Sequence, residues 1–185
     1  DDEVAEDIAA MRDACAGVLQ DPPKDASFLI AGDGPHLRAW REWVEPAQID
    51  TSPGSFDDHG IMEALDELED VFVPMGPHSM TIEPTRALVA VDVNTGADTS
   101  PAAPLKANLA AVVELPRALR LRGLAVQITI DFAPLLKRDR RQIETAMRAA
   151  FRRDTVETEV IGWTPLGHME LKRKRERRPL FEVLV

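Results

Sequence analysis

The sequence predicts a protein of the α/β class with an α+β arrangement, in which helices flank a mixed sheet. Residues 87–93 and 125–131 are apolar runs rich in the β-branched residues of buried strands, and each carries an aspartate near its carboxyl end. Residues 105–121, which lie between them, place leucines and valines at helical spacing. Two strands joined by a helix favour a sheet with helices packed against it.

The first third of the chain is predicted to form helices and connections. Residues 2–19 have apolar side chains at helical spacing and acids early in the segment, which suits the positive end of a helix dipole. Residues 28–30, Phe-Leu-Ile, predict a short strand, and residues 37–44 place Leu, Trp and either Trp or Val on one helical face. Residues 45–60 are rich in Pro, Ser, Asp and Gly and predict a boundary or a mobile loop.

The middle of the chain is predicted to enter the sheet. Residues 61–68 have the apolar spacing of a short acidic helix that leads into the apolar run 71–74. Residues 79–84 alternate like a half-buried strand, and antiparallel pairing with the strand at 86–93 is the expected arrangement. Residues 95–104 predict a loop over the end of the first acidic strand, a position where mobile loops commonly carry function.

The last part of the chain is predicted to be helical and then strand-like. In the helix at 105–121, Pro116 is expected to cause a kink or to mark a break. Residues 140–151 predict a basic amphipathic helix, and 155–163 predict a strand. Residues 172–178 are basic at six of seven positions, which fits either a strand that grips phosphate or a solvated tail, and composition leaves both open.

Composition excludes several classes of protein. With 185 residues, 44% of them hydrophobic, the chain can bury one core, or one core and a small subdomain. No window approaches the roughly 18 apolar residues that span a bilayer, so no membrane association is expected. The single cysteine, Cys15, excludes an internal disulfide and a Cys-x-x-Cys metal knuckle and favours a cytoplasmic setting. Because the sequence begins Asp-Asp-Glu, it is expected to be a fragment or a processed piece.

The net charge of -10 conceals an asymmetry along the chain. Residues 1–100 carry 5 Lys and Arg against 22 Asp and Glu, whereas residues 101–185 carry 17 against 10. A segment that is basic on this scale can hold phosphate within about one Debye length, roughly 8 Å, although the whole chain is acidic. The average charge therefore does not exclude a nucleic-acid partner.

The two strand-end acids, Asp92 and Asp131, suggest a shared divalent cation. Each aspartate closes an apolar strand, and a long helix separates the two strands in sequence. An aspartate at a strand end is ordinarily a turn or cap residue, so either residue alone is weak evidence for a metal site. His59, His78 and His168 are too scattered in sequence to predict a metal site.

Four motifs follow one another along the second half of the chain. They are Val-Asp-Val-Asn-Thr-Gly at 91–96, Leu-Lys-Ala-Asn-Leu at 105–109, Leu-Arg-Leu-Arg-Gly-Leu at 119–124 and Ile-Asp-Phe at 130–132. In this order and spacing, the motifs resemble the ribonuclease E/G family. The resemblance extends through Arg-Gln-Ile-Glu at 141–144 and the segment 166–173, so that it covers roughly residues 79–178.

The resemblance implies a domain organisation and an activity. It implies a DNase I-like catalytic subdomain at 77–185, preceded at 1–76 by part of a 5′-sensor and RNase H-like region. It also implies a magnesium-dependent endoribonuclease that cleaves single-stranded RNA and leaves 5′-phosphate ends. Asp92 and Asp131 match the family's metal-binding aspartates, and Asn94 matches the asparagine that assists them. Mg²⁺ prefers such hard oxygen ligands and is commonly held by one or two carboxylates plus substrate phosphate.

Five further polar residues occupy family-like positions. The resemblance assigns them either to contacts with the RNA backbone or to support of the site, and for the asparagine among them a buried hydrogen-bonding role is an equal alternative. These residues are Lys106, Asn108, Arg120, Arg141 and Arg173.

The sequence also departs from the family pattern. It has no S1 RNA-binding domain, little of a 5′-sensor, and none of the paired cysteines with which relatives build a zinc-linked dimer. Ala-Pro-Leu at 133–135 stands where relatives usually add an acid, and Glu157 stands where a basic residue is common. We therefore expect no zinc link, and either a homo-oligomer or association with the missing domains. The alternative function is a non-catalytic RNA-binding or assembly module that retains the ribonuclease fold.

Overall fold

The computed structural model describes residues 2–20, 22–32, 34–42 and 48–183. The chain forms two compact units, Asp1–Ser52 and Pro53–Val185. The predicted division between residues 76 and 77 rests on the family resemblance and stays a prediction. Within the described part of the chain, none of the helices combines the length and the apolarity that crossing a bilayer requires.

The first unit contains the two predicted helices, α1 (Asp2–Gln20) and α2 (Pro35–Glu42). Trp43 and Val44, which the helical pattern included, lie outside the described residues. The predicted strand at 28–30 is wrong, because this segment has no regular structure and its Phe28 side chain is 83% exposed. A strand needs a neighbour for its backbone N–H and C=O groups, and the described residues of this unit offer none.

The second unit contains the sheet and its helices. The region predicted as a boundary or a mobile loop, 45–60, contains the division between the two units, and a short unpredicted helix lies within it. The helices and strands predicted between residues 61 and 163 are found, whereas the strand at 169–173 was not predicted as a whole. In chain order the elements of this unit are α3 (Ser55–Asp58), α4 (Ile61–Glu69), β1 (Phe72–Met75), β2 (His78–Pro84), β3 (Val89–Asn94), α5 (Ala103–Leu121), β4 (Val126–Asp131), α6 (Arg140–Phe151), β5 (Thr158–Trp163) and β6 (Met169–Arg173), followed by a 3-10 turn at Leu180–Glu182.

The part of the chain that the structure describes forms one sheet of six strands in the order β1-β2-β3-β4-β6-β5. β3 and β4 are parallel and are joined through α5, whereas every other neighbouring pair is antiparallel. The predicted mixed sheet with flanking helices and the antiparallel pairing of β2 with β3 are thus confirmed.

Among the described residues of this unit, the core covers one face of the sheet. In β3, Val89, Val91 and Val93 are buried while Asp92 and Asn94 are exposed, because successive side chains of a strand point to opposite faces. The covered face packs on the buried sides of α5 and α6, with a core that includes Ile82, Val91, Leu115, Leu119, Ile128, Ile130, Ile143, Met147 and Leu171. Polar side chains of the central strands therefore collect on the open face.

Pro116 lies inside α5 without ending it. The sequence predicted either a kink or a break at this proline. The prediction of a break is wrong, because the helix continues to Leu121. The proline costs one helical hydrogen bond, but its ring is buried and its neighbours Leu115 and Leu119 are fixed in the core. Packing on both sides of the proline stabilises the helix through it.

The basic run at 172–178 is part strand and part exposed segment, so neither a strand nor a solvated tail describes all of it. Lys172 and Arg173 belong to β6, whereas residues 174–178 are exposed and have no regular structure. Arg173 alternates onto the core face, where it is 3% exposed. The run is therefore a strand end followed by a solvated segment.

A buried ionic network joins this strand end to α5 and to the loop that follows α6. Arg173 Nη1 donates to Asp154 Oδ2 at 2.6 Å, and Arg120 Nη1 donates to the other carboxylate oxygen at 2.7 Å. Burial opposes ionisation of Asp154, but the hydrogen bonds and charges of the two arginines outweigh it and hold the pKa of this carboxyl below its ordinary value. The Asp154 and Arg173 side chains are 0% and 1% exposed, so each charge depends on the other.

Replacing Asp154 by Asn is expected to lower the free energy of unfolding at neutral pH by about 3–5 kcal/mol, because the buried charge of Arg173 then has no anionic partner. A lowered native pKa gives stabilisation that is complete above the unfolded-state pKa of about 3.9 and is lost as the pH falls towards the native value. The difference between wild type and Asp154→Asn should therefore shrink from about pH 7 to about pH 3. Urea denaturation at both pH values measures it.

The control for this prediction is Glu144→Gln, which breaks the exposed pair of Glu144 with Arg148. An exposed pair of this spacing contributes only about 0.3–0.5 kcal/mol, so the control should unfold almost like the wild type. A loss for Asp154→Asn as small as that of the control would show that the buried network does not stabilise the fold.

Candidate active site

Asp92 and Asp131 lie side by side on the open face of the sheet. The parallel register of β3 and β4 places Asp92 opposite Asp131, and both side chains are exposed. Neighbouring strands are about 4.8 Å apart, so two carboxylates at the same level can reach one ion between them. The structure thus brings together the two residues that were predicted to share a cation.

Asn94 orients one of these carboxylates. It follows Asp92 by two residues and so lies on the same face of β3. Its Nδ2 donates to Asp92 Oδ2 at 2.7 Å. This hydrogen bond restrains the Asp92 side chain and leaves Oδ1 available to another partner.

The turn that follows β3 is held against the start of β2. His78 Nδ1 donates to the carbonyl oxygen of Thr95 at 3.0 Å, and His78 is buried. Gly96 has a φ of 61°, and a Cβ at this position would overlap the carbonyl oxygen of Pro77. The glycine is therefore needed both for the left-handed turn and for the close approach, which together fix the end of the strand that carries Asp92.

His168 is a neighbour of Asp131 that the sequence pattern does not reveal. β4 pairs with β6 so that Ile130 faces Met169, which puts His168 next to Asp131 across the strands. His168 Nε2 lies 3.8 Å from Asp131 Oδ1. The antiparallel pairing of residues 126–130 with 169–173 is the signal that would have located it, and that pairing is not readable from the sequence of either strand alone.

Asn108 supports the backbone just beyond Asp131. Its Nδ2 donates to the carbonyl oxygen of Ala133 at 2.9 Å, and its Oδ1 accepts from the Ala133 N–H at 3.0 Å. Asn108 is 0% exposed. Of the two roles that the sequence left open, the structure therefore shows the buried hydrogen-bonding role, in which α5 anchors the segment after β4.

The four basic residues predicted to contact RNA occupy different environments. Lys106 is exposed, with its Nζ 3.6 Å from Asp98 Oδ2, and Arg141 is exposed in the first turn of α6. Arg120 and Arg173 instead hold Asp154, and the guanidinium of Arg173 is buried. Lys106 and Arg141 therefore present charge to solvent, whereas Arg120 and Arg173 support the fold.

The described residues contain no group of three or more His, Cys, Asp or Glu side chains arranged to hold an ion. The pair formed by Asp92 and Asp131 supplies only carboxylate oxygens. A cation bound there would need water or substrate for its remaining positions. This is the coordination that Mg²⁺ commonly adopts, so the donor set fits a magnesium ion.

Replacing Asn108 by Leu is expected to lower the free energy of unfolding by at least about 1–3 kcal/mol, because the Ala133 N–H and C=O lose their buried partner. Urea denaturation measures the loss, and amide hydrogen exchange at Ala133 should become faster. The matched amide control is Asn94→Ala, which removes one exposed hydrogen bond and should cost less than about 1 kcal/mol. Equal losses for the two variants would contradict an anchoring role for Asn108.

Comparison with known proteins identifies the family of this chain. The model of the Ribonuclease E/G family matches residues 39–176. The chain is 37% identical over 128 residues to Ribonuclease E of Nostoc sp., which covers 66% of the chain and 18% of that relative. It is 36% identical over 114 residues to Ribonuclease G of Salmonella typhimurium, which covers 57% of the chain and 22% of the relative. The match thus spans about a fifth of the length of these relatives. The chain belongs to the ribonuclease E/G family.

Proposed function

We propose that this chain carries the catalytic centre of a magnesium-dependent endoribonuclease that cleaves single-stranded RNA and leaves 5′-phosphate ends. The observation that carries the proposal is the register of β3 and β4, which puts Asp92 and Asp131 at one level on an exposed face. Membership of the ribonuclease E/G family supports RNA as the substrate.

The two aspartates would hold the ion together. Both side chains are exposed, so neither needs to leave the core to coordinate it. When bound, Mg²⁺ would neutralise charge on the phosphate and lower the pKa of a bound water. Asn94 fixes Asp92 through the 2.7 Å hydrogen bond from its Nδ2, and Asn108 anchors the backbone beyond Asp131. These two amides would limit the reorganisation of the carboxylates during the reaction.

RNA would be held by basic groups outside this pair. Lys106 and Arg141 are the predicted contacts whose charged groups reach solvent. Their sequence positions lie in the half of the chain that carries an excess of Lys and Arg. Because contacts with phosphate release counterions, affinity for RNA should fall steeply with salt.

The proposal extends to the organisation of the protein. Residues 77–185 would form the DNase I-like catalytic subdomain, and residues 1–76 would be a partial 5′-sensor and RNase H-like region. The sheet that carries both aspartates lies mostly within 77–185, which supports this assignment. We also propose that the protein is cytoplasmic and that it either self-associates or binds further domains of the family.

Replacing Asp131 by Asn, or Asp92 by Asn, is expected to lower the rate of RNA cleavage by roughly 100-fold or more, because the loss of one ligand removes several kcal/mol of charge stabilisation. The measurement is cleavage of a fluorescent single-stranded RNA with Mg²⁺ and with EDTA. EDTA should abolish cleavage by the wild type.

The control is Glu83→Gln, which removes one carboxylate from the neighbouring strand. Glu83 is exposed and faces Ala90, two residues before Asp92 in β3. Its rate should stay close to that of the wild type. Magnesium-dependent cleavage that survives Asp131→Asn would refute the site, and binding of RNA without any cleavage by the wild type would favour the non-catalytic module.

A further inference from the structure

A cavity lies at the end of β3 and β4 opposite to Asp92 and Asp131. Its volume is about 450 Å³, and the turn between β2 and β3, the start of β4 and the segment 175–182 surround it. Val89 lines it at the amino end of β3, roughly 10 Å from Asp92 at about 3.3 Å per residue. The cavity is therefore distinct from the candidate active site, and its size is typical of small-ligand pockets.

The lining of this cavity carries an excess of positive charge. Arg86 and Arg175 both line it, both are exposed, and neither forms a side-chain hydrogen bond or ion pair with a described residue. The acidic residue in the lining, Glu182, is already paired, since its Oε2 lies 3.7 Å from Arg178 Nε. Two guanidinium groups that have no partner among the described residues and that share one cavity are suited to an anion, and their planar donors match phosphate.

The same cavity offers an apolar surface beside the arginines. Phe181 lines it and is 46% exposed. An aromatic face of this kind can stack on a nucleobase, whatever the base. A nucleotide is a ligand that supplies both a phosphate for the arginines and a base for the phenylalanine.

The walls of the cavity are fixed by backbone contacts. The segment that carries Phe181 is tied to the end of α5, because the Leu180 N–H donates to the carbonyl oxygen of Arg122 at 2.9 Å. Gly123 contacts the same segment so closely that a Cβ would overlap the carbonyl oxygen of Arg178. Val126, also in the lining, has a φ of 76°, which is strained for a β-branched residue, and such strain clusters at ligand sites.

We propose that this cavity is a nucleotide-binding site, separate from Asp92 and Asp131, that takes the phosphate and base of a single-stranded RNA or of a free nucleotide. The choice of RNA as the source rests on the proposed function, whereas the recognition chemistry rests on the cavity alone. An RNA bound at both places would be anchored at one end of the strands while its scissile phosphate lies at the other.

The test is the double variant Arg86→Gln/Arg175→Gln, with RNA affinity measured by fluorescence anisotropy in EDTA across a range of salt. For a single strand, log affinity falls with log salt with a slope of about -0.7 per phosphate contact. Loss of one or two contacts should therefore make the slope shallower by about 0.7–1.4 and weaken binding roughly tenfold. Phe181→Leu should weaken binding without changing the slope.

The matched control is Arg152→Gln/Arg153→Gln, which removes the same charge from two exposed residues after α6 that do not line the cavity. It should leave the slope near the wild-type value. A parallel titration with a nucleoside 5′-monophosphate identifies the source of the ligand. If the monophosphate binds and its binding depends on Arg86 and Arg175, the cavity takes free nucleotides. If RNA binds through these arginines and the monophosphate does not bind, the cavity takes a nucleotide of an RNA strand.

The proposal is overturned if neither RNA nor the monophosphate binds more weakly to the Arg86/Arg175 variant than to the control. Because binding is measured in EDTA, this outcome is independent of catalysis. A wild type that binds RNA through these arginines but never cleaves it would refute the proposed activity and retain the nucleotide site. If the Arg86/Arg175 variant cleaves RNA and binds it as tightly as the wild type does, the nucleotide site is refuted and the proposed activity is retained.

Discussion

The parallel register between β3 and β4 is the contact on which the arrangement of this protein depends. Asp92 faces Asp131 only because Val91 faces Ile130 one position earlier, with both apolar side chains buried against the helices. A shift of one residue in the pairing register of either strand would point its aspartate towards the core and its apolar residues towards solvent. The same hydrophobic burial that stabilises the sheet therefore holds the two carboxylates at one level.

Buried polar contacts restrict the segments around this register. Asn108 connects α5 to the backbone after β4, and the network of Asp154 with Arg120 and Arg173 connects α5, the α6–β5 loop and β6. A lone buried charge is costly, so the partners of such a network must stay together. These contacts fix α5, which crosses over between the two strands that carry Asp92 and Asp131, relative to β4 and β6.

The two ends of the central strands differ in chemistry. The carboxyl ends present Asp92 and Asp131, which would repel phosphate unless a cation lies between them. The amino ends meet a cavity with Arg86 and Arg175, which attract phosphate directly. An acidic protein can in this way hold a polyanion, because recognition depends on local charge and the net charge of -10 acts only through long-range repulsion that salt screens.

The sequence by itself determined most elements of the sheet and its helices and the identity of the acidic pair, because apolar periodicity and strand-end aspartates are local patterns. It did not predict α3, and it left open whether the basic run at the end of β6 is a strand or a tail. Only the tertiary structure decided which residues are neighbours across strands. It placed His168 beside Asp131, buried Arg173 against Asp154, and left residues 28–30 without the strand that their composition favoured. The physical reason is that strand pairing and burial depend on partners distant in sequence. A local pattern indicates which secondary structure a segment can form, but it does not indicate which tertiary contacts the segment makes.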